Sequence, residues 1–137
     1  IINANICDVD NLKLQKLLYY CQGIHYCLDN NPLFDVDIEA WQYGPVVPSF
    51  YRRYKSFGFD IISTFDNVEN LKLSDIDRES IDMTISYYGL MSGVALINKT
   101  HQEDPWKSVF YPGKKHIIIS KESIRKYFKE NITIEND

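Results

Sequence analysis

The clearest hydrophobic pattern in the chain lies in residues 12–28. Mostly apolar side chains recur there at helical spacing, which predicts an amphipathic helix. The side chains on one arc of that helix are Leu14, Leu17, Leu18, Cys21, Ile24, His25 and Leu28. Asp10 or Asn11 precedes the arc and offers a side-chain oxygen to the first free N–H groups. We therefore expect this arc to face the core.

A second stripe of the same helix alternates amide and phenol groups. Gln15, Tyr19, Gln22 and Tyr26 follow one another at spacings of three and four residues, so they share one face. Amides and phenols can both donate and accept hydrogen bonds. Two interpretations stay open, namely a surface that meets a protein partner and a half-buried face that packs against the rest of the domain.

Residues 33–43 alternate between apolar and polar side chains, which predicts a strand or one arm of a hairpin. Gly44, Pro45 and Pro48 follow and restrict the backbone strongly, because proline fixes φ and glycine marks turns. Pro48 also suits the first position of a helix. We call residues 38–48 the corner and expect it to be a packing centre.

Serines stand at the predicted starts of later helices, at Ser74, Ser92 and Ser120. The first of these helices runs to about residue 88 and is apolar on two sides, which predicts a central position. The last covers residues 121–130, and residues 116–119 before it, which are mostly β-branched, can form a short strand. The fold class predicted for residues 1–137 is mainly α (α+β), a compact single-domain helical bundle with a small β-hairpin or short sheet.

Composition narrows the possible partners. The net charge of −4 argues against nucleic acid, because phosphate binding needs a basic surface. No apolar run approaches the roughly 20 residues of a membrane-spanning helix. The cysteines, Cys7, Cys21 and Cys27, are odd in number and lack C-x-x-C spacing, as is typical of a cytoplasmic protein with reduced thiols. Basic side chains such as Lys13 and Lys16 are expected on solvated helix faces, with RNA contact as the alternative.

A histidine, two carboxylates and a tryptophan fall within residues 101–106. His101 and Glu103 could form an acid–base or metal site together with His25. Their spacing differs from the H-E-x-x-H pattern of zinc enzymes, and His25 lies on the apolar arc, where core histidines are usual. We therefore expect no catalytic residue, metal or cofactor, and a small metal-dependent hydrolase stays as the alternative function.

Three blocks of the chain resemble the SocA-like antitoxin family, also called the Panacea domain and known from phage-associated GepA-like proteins. The first block, residues 11–23, reads N-L-K-L-Q-K-L-L-Y-Y-C-Q-G. The second is the corner, followed by Tyr51 and Tyr54. The third, residues 100–106, reads T-H-Q-E-D-P-W and contains the motif positions His101, Glu103, Pro105 and Trp106.

The resemblance implies a mostly helical domain without established enzymatic activity. Members of the family act as antitoxins in two-gene toxin–antitoxin systems and bind a toxin protein directly. One branch is also a proteolytic adaptor that delivers its toxin to the ClpXP protease. Under this resemblance the candidate partner-binding residues are Gln15, Tyr19, Gln22, Trp41, Tyr43, Gly44, Pro45, Tyr51 and Arg52.

Physical chemistry separates some of these candidates from the scaffold. Aromatic and arginine side chains give much contact energy for little lost rotamer freedom, and a few of them usually dominate an interface. Trp41, Tyr43, Tyr51 and Arg52 crowd around the corner and are the strongest interface candidates. We expect Trp41 to be mostly buried and the other three to lie nearer the surface.

Overall fold

The architecture is mainly α with a small antiparallel sheet, as predicted. The computed structural model of the protein describes residues 1–2, 9–63 and 72–133. Its elements are α1 (Asn11–Leu28), β1 (Ile38–Trp41), β2 (Gly44–Val46), α2 (Pro48–Arg53), a 3-10 turn (Lys55–Phe57), α3 (Asp75–Tyr88), α4 (Gly93–His101), α5 (Asp104–Lys107), β3 (Ile118–Ile119) and α6 (Lys121–Asn131).

The predicted helix starts are confirmed. The Asp10 side chain accepts from the N–H of Lys13 at 2.8 Å and caps α1. Ser74 caps α3 in a capping box, in which the side chain of Asp77 accepts from the Ser74 backbone. The remaining predicted caps, Ser92 and Ser120, accept from the third residue of α4 and α6 in the same way.

The sheet has the strand order β2-β1-β3, and both pairings are antiparallel. The strand predicted over residues 33–43 is shorter at both ends: it pairs only over Ile38–Trp41, and residues 42–43 form the turn to β2. Gln22 on α1 accounts for the start of the strand, because its side chain accepts from the N–H of Leu33 at 2.8 Å and donates to the Phe34 carbonyl at 2.9 Å. That side chain takes the backbone groups that a longer strand would need.

The prediction that α3 is the central helix is wrong, since α1 holds that place. Helix α1 contacts α2, α3, α4, α6 and β2 and is buried on nearly all sides. Helix α3 buries only a narrow stripe of Ser80, Thr84 and Tyr88 and leaves Tyr87 half exposed. The hydroxyls of Ser80 and Thr84 bond to carbonyls of their own helix, so this stripe can pack closely without unpaired polar groups.

The core gathers aromatic side chains around α1. Tyr20 stacks on Tyr88 of α3 with ring centroids 4.1 Å apart, and Tyr19 meets Phe128 of α6 edge to face at 5.5 Å.

Along the described chain no helix is long and apolar enough to cross a membrane. Cys21 and Cys27 are free, and Cys7 lies outside the described residues.

Gly23 on α1 supplies a first test of this packing. A Cβ at that position would lie 2.5 Å from the Cδ1 of Phe128, whose ring is fully buried. We expect Gly23→Ala to lower the free energy of unfolding by roughly 1–3 kcal/mol in urea denaturation, because the overpacked ring has no room to move. Gly93→Ala is the control, since its Cβ would have no contact shorter than 3.7 Å. Equal stability of the two variants would contradict the packing described here.

Candidate partner-binding site

The stripe of Gln15, Tyr19 and Gln22 lies inside the domain. All three side chains are fully buried, so they offer no surface to a partner in this conformation and pack against the rest of the domain. The Gln15 amide accepts from the N–H of Val47 at 2.9 Å and donates to Asn11 at 2.9 Å. Because both ends of that amide are used within the chain, its role here is to position the end of the corner.

Tyr19 and its neighbour Tyr20 share one carboxylate, that of Glu103. Their hydroxyls donate to the two oxygens of Glu103, each at 3.0 Å, and Lys99 lies 3.5 Å from the second oxygen. Only 4% of Glu103 is exposed. Burial raises the pKa of this carboxyl. The pKa of both tyrosines is also raised, first by their own burial and then by the charge of Glu103. The cluster ties α1 to the block at residues 100–106 and is structural.

Two lysines expected on solvated helix faces are buried instead. Lys16 donates from Nζ to the Pro45 carbonyl at 2.9 Å, and Lys13 donates to the Gly89 carbonyl at 2.7 Å. Burial lowers the pKa of Lys16 to about 7. Gly44, with φ of +105°, leaves room for this lysine, because a Cβ there would lie 2.8 Å from the Lys16 Cε. Gly44 and Pro45 are therefore buried and act through the backbone.

The three residues considered for a hydrolase have separate partners. His25 is buried, with Nδ1 2.8 Å from the Asn31 carbonyl and Nε2 3.0 Å from the Asp77 carboxylate. Glu103 bonds the two tyrosines of α1, and the ring of His101 stacks on an indole. Within the described parts of the chain, no group of three or more His, Cys, Asp or Glu side chains could hold a metal ion. Nothing in this arrangement supports the hydrolase alternative.

Trp106 attaches the third block, residues 100–106, to the corner. Its indole N–H donates to the Trp41 carbonyl at 2.7 Å. Its ring stacks on those of His101 and Phe110, with ring centroids 4.1 Å and 4.5 Å apart. Pro105 is buried in the first turn of α5. The hydrogen bond from Trp106 to the Trp41 backbone therefore attaches the third block to the corner.

The outer side of the corner carries exposed aromatic and basic side chains. Tyr43 is 55% exposed in the tight turn between β1 and β2, and Arg52 is exposed on α2. Trp41 and Tyr51 are half-buried and meet edge to face with centroids 4.9 Å apart. The indole N–H of Trp41 donates to Glu39 at 3.0 Å. Of the four strongest interface candidates, the structure thus brings Trp41 and Tyr51 into contact and leaves Tyr43 and Arg52 exposed close to them in the chain.

Sequence reasoning missed a cavity beside Trp41. Its volume is about 600 Å³, and its lining residues are Glu39, Ala40, Trp41, Gln42, Phe110, Pro112, Gly113, Lys114, Lys115 and His116. The sequence marks residues 111–115 only as a turn. The basic pair Lys114 and Lys115 was the one sequence signal for a binding site there. Its position beside β1 could not be predicted, because it depends on the pairing of β1 with the distant strand β3.

Comparisons with known proteins agree with the blocks described above. The family model described as "Antitoxin SocA-like, Panacea domain" matches residues 14–107, which include most of α1, the corner and the block around Glu103. Antitoxin SocA from Caulobacter vibrioides (strain NA1000 / CB15N) is 30% identical over an alignment of 109 residues that covers 72% of this chain and 58% of that protein. The chain therefore spans little more than half the length of that relative. No solved structure matches the chain.

Glu103→Ala tests the carboxylate cluster. The substitution leaves the hydroxyls of Tyr19 and Tyr20 buried without their acceptor, so we expect a loss of roughly 3 kcal/mol in the free energy of unfolding. Asp104→Ala is the matched control, because that neighbouring carboxylate is exposed. Chemical denaturation of both variants would measure the difference, and similar stabilities would show that the cluster does not stabilise the fold.

Lys16 predicts a pH dependence of stability with a definite sign. Its folded pKa of about 7 lies below the ordinary lysine value of 10.5, so between these values the unfolded chain binds more protons than the folded chain. The contribution of Lys16 to the free energy of unfolding therefore rises with pH, by at most about 1.4 kcal/mol per pH unit. Lys16→Met should remove this rise when both proteins are denatured in urea at several pH values from about 7 to about 9. Parallel pH profiles would contradict the lowered pKa.

Proposed function

The chain belongs to the family of SocA-like antitoxins with the Panacea domain, and from this premise we propose that it neutralises a cognate toxin protein by direct binding. It would form the antitoxin half of a toxin–antitoxin system. The observation that carries the proposal is the family match over residues 14–107, which takes in most of α1, the whole corner and the block around Glu103. Similarity to Antitoxin SocA at 30% identity supports the same role.

The contact surface of this proposal is the outer side of the corner. Tyr43 and Arg52 are its exposed side chains, and Trp41 and Tyr51 are half-buried and in contact with each other. The backbone under these side chains is already fixed by buried hydrogen bonds, so little conformational freedom is lost when a partner binds. Exposed aromatic and arginine side chains on a rigid support favour protein binding.

The buried candidates take a positioning role in this proposal. Gln15 and Lys16 hold the backbone of the corner at Val47 and Pro45. Gln22 holds the segment before β1, while Tyr19 belongs to the carboxylate cluster. A substitution at any of these positions would weaken partner binding through the shape of the corner and would also lower the stability of the protein.

Further parts of the proposal follow from the family and from the charge of the chain. The protein acts in the cytoplasm as a binding module rather than an enzyme, without a cofactor and without a nucleic-acid partner. Delivery of the bound toxin to the ClpXP protease is the additional role that the SocA branch of the family suggests. A toxin that becomes long-lived when ClpX is removed, in cells that make this protein, would support that role.

Two exposed side chains test the proposed surface. We expect Tyr43→Ala and Arg52→Ala each to abolish growth rescue when the protein is co-expressed with the product of the neighbouring gene. Both side chains are exposed, so the free energy of unfolding should change by less than about 0.5 kcal/mol. Co-purification of the two proteins would report the loss of binding directly.

The matched controls are Tyr87→Ala and Arg78→Ala on α3. Tyr87 is 50% exposed and Arg78 is exposed, so the controls remove the same side-chain types from another surface. They should keep growth rescue and co-purification. If Tyr43→Ala and Arg52→Ala also keep both, the outer side of the corner is not the contact surface.

A further inference from the structure

The cavity beside Trp41 exists because β1 is longer than its partner strand. The pairing of β1 with β3 ends where the N–H of Ala40 donates to the Ile117 carbonyl at 2.8 Å. Before that point the segment of residues 110–116 turns away from β1 and leaves a gap. A volume of about 600 Å³ lies in the range of about 300–1,000 Å³ that is typical of binding pockets.

One wall of the cavity is apolar, and its rim is basic. Trp41, Phe110 and Pro112 supply apolar surface, and Phe110 is held by its stacking on Trp106. Lys114 and Lys115 supply the charge. Both lysines are exposed, and no carboxylate among the described residues forms an ion pair with either of them. On a chain with a net charge of −4, these two unpaired cations form a local positive site.

Glu39 is the carboxylate in the lining, and its Oε1 atom already has partners. That oxygen accepts from the indole N–H of Trp41 at 3.0 Å and lies 3.6 Å from Nδ1 of His116. The bond fixes the indole at the wall of the cavity. The lining keeps an excess of positive charge, because the two lysines outnumber this one carboxylate.

The cavity adjoins the outer side of the corner through Trp41. The indole lines the cavity and at the same time packs edge to face on Tyr51 of α2. A protein that contacts Tyr43 and Arg52 would therefore lie beside the opening. The position of Pro112 in the lining also disfavours a phosphate loop, because proline has no N–H to donate.

We infer that the cavity binds an acidic segment of the toxin, whose carboxylates pair with Lys114 and Lys115 and whose neighbouring apolar side chain enters between Trp41 and Phe110. The inference rests on the proposed function and names the chemistry of the partner. Charge complementarity carries it, since an open, apolar cavity with two unpaired lysines at its rim selects a ligand that is both acidic and apolar.

Charge reversal in the full-length protein tests this inference. The double variant Lys114→Glu/Lys115→Glu should bind the product of the neighbouring gene at least about tenfold more weakly than the unaltered protein, because attraction becomes repulsion. Its affinity should also depend less steeply on salt, since screened attraction would no longer contribute. The control Lys72→Glu/Lys126→Glu makes the same change in charge at exposed lysines elsewhere and should bind almost as tightly as the unaltered protein.

A photocrosslink identifies the segment itself. Tyr111 lies beside the rim and is 67% exposed. Replacing it with p-benzoylphenylalanine places a photocrosslinker there and leaves both lysines unchanged. Under light, that variant should crosslink to a toxin peptide rich in Asp and Glu. Crosslinking to a neutral or basic peptide would overturn the inference.

The outcomes separate this inference from the proposed function. If the unaltered protein binds the neighbouring gene product and the double variant binds it equally well, the cavity does not take part and the antitoxin role stands. If the unaltered protein forms no complex and gives no growth rescue, the proposed function fails, and the inference fails with it.

Discussion

The fold depends on polar side chains of α1 that are buried and hydrogen-bonded to the backbone of other segments. Gln15 holds Val47, Lys16 holds Pro45, and Gln22 holds Leu33 and Phe34. A buried amide or ammonium without a partner is unfavourable by several kcal/mol, in the range of roughly 2–7 kcal/mol for neutral groups. Each of these side chains therefore requires its partner segment to stay in place, and the corner takes its shape from the helix beneath it.

This arrangement gives the three family blocks of the sequence different structural roles. Glu103 and Trp106 attach the third block to α1 and to the corner, while Gly44 and Pro45 shape the backbone over Lys16. The outer side of the corner keeps an exposed aromatic and an exposed basic side chain, Tyr43 and Arg52. A rigid base with a few exposed anchors is the arrangement that the proposed binding role needs, because binding then orders few additional groups.

The sequence predicted the helices well, because their signals are local. The serine caps and the apolar arc of α1 need no information from distant residues. The burial of Gln15, Lys16 and Gln22 could not be read from periodicity, since that method places polar residues on the outside and their partners lie 11 to 32 residues away. The wrong prediction that α3 is central also comes from reading periodicity alone. A helix with apolar residues on two sides resembles a central helix even when its buried stripe contains Ser80 and Thr84. The cavity could not be predicted either, because it depends on the pairing of β1 with β3. A strand of two residues gives too short a pattern to predict its partner.

Hydrogen exchange at the N–H of Val47 tests the central claim most directly, since this group donates to the buried amide of Gln15 at 2.9 Å. In the free protein we predict that it exchanges as slowly as the amides in the middle of α1, through global unfolding alone. Exchange at Val47 that is much faster than in α1 would show that the corner opens by itself. The outer side of the corner would then not be held ready for a partner, which would contradict a rigid, preformed binding surface.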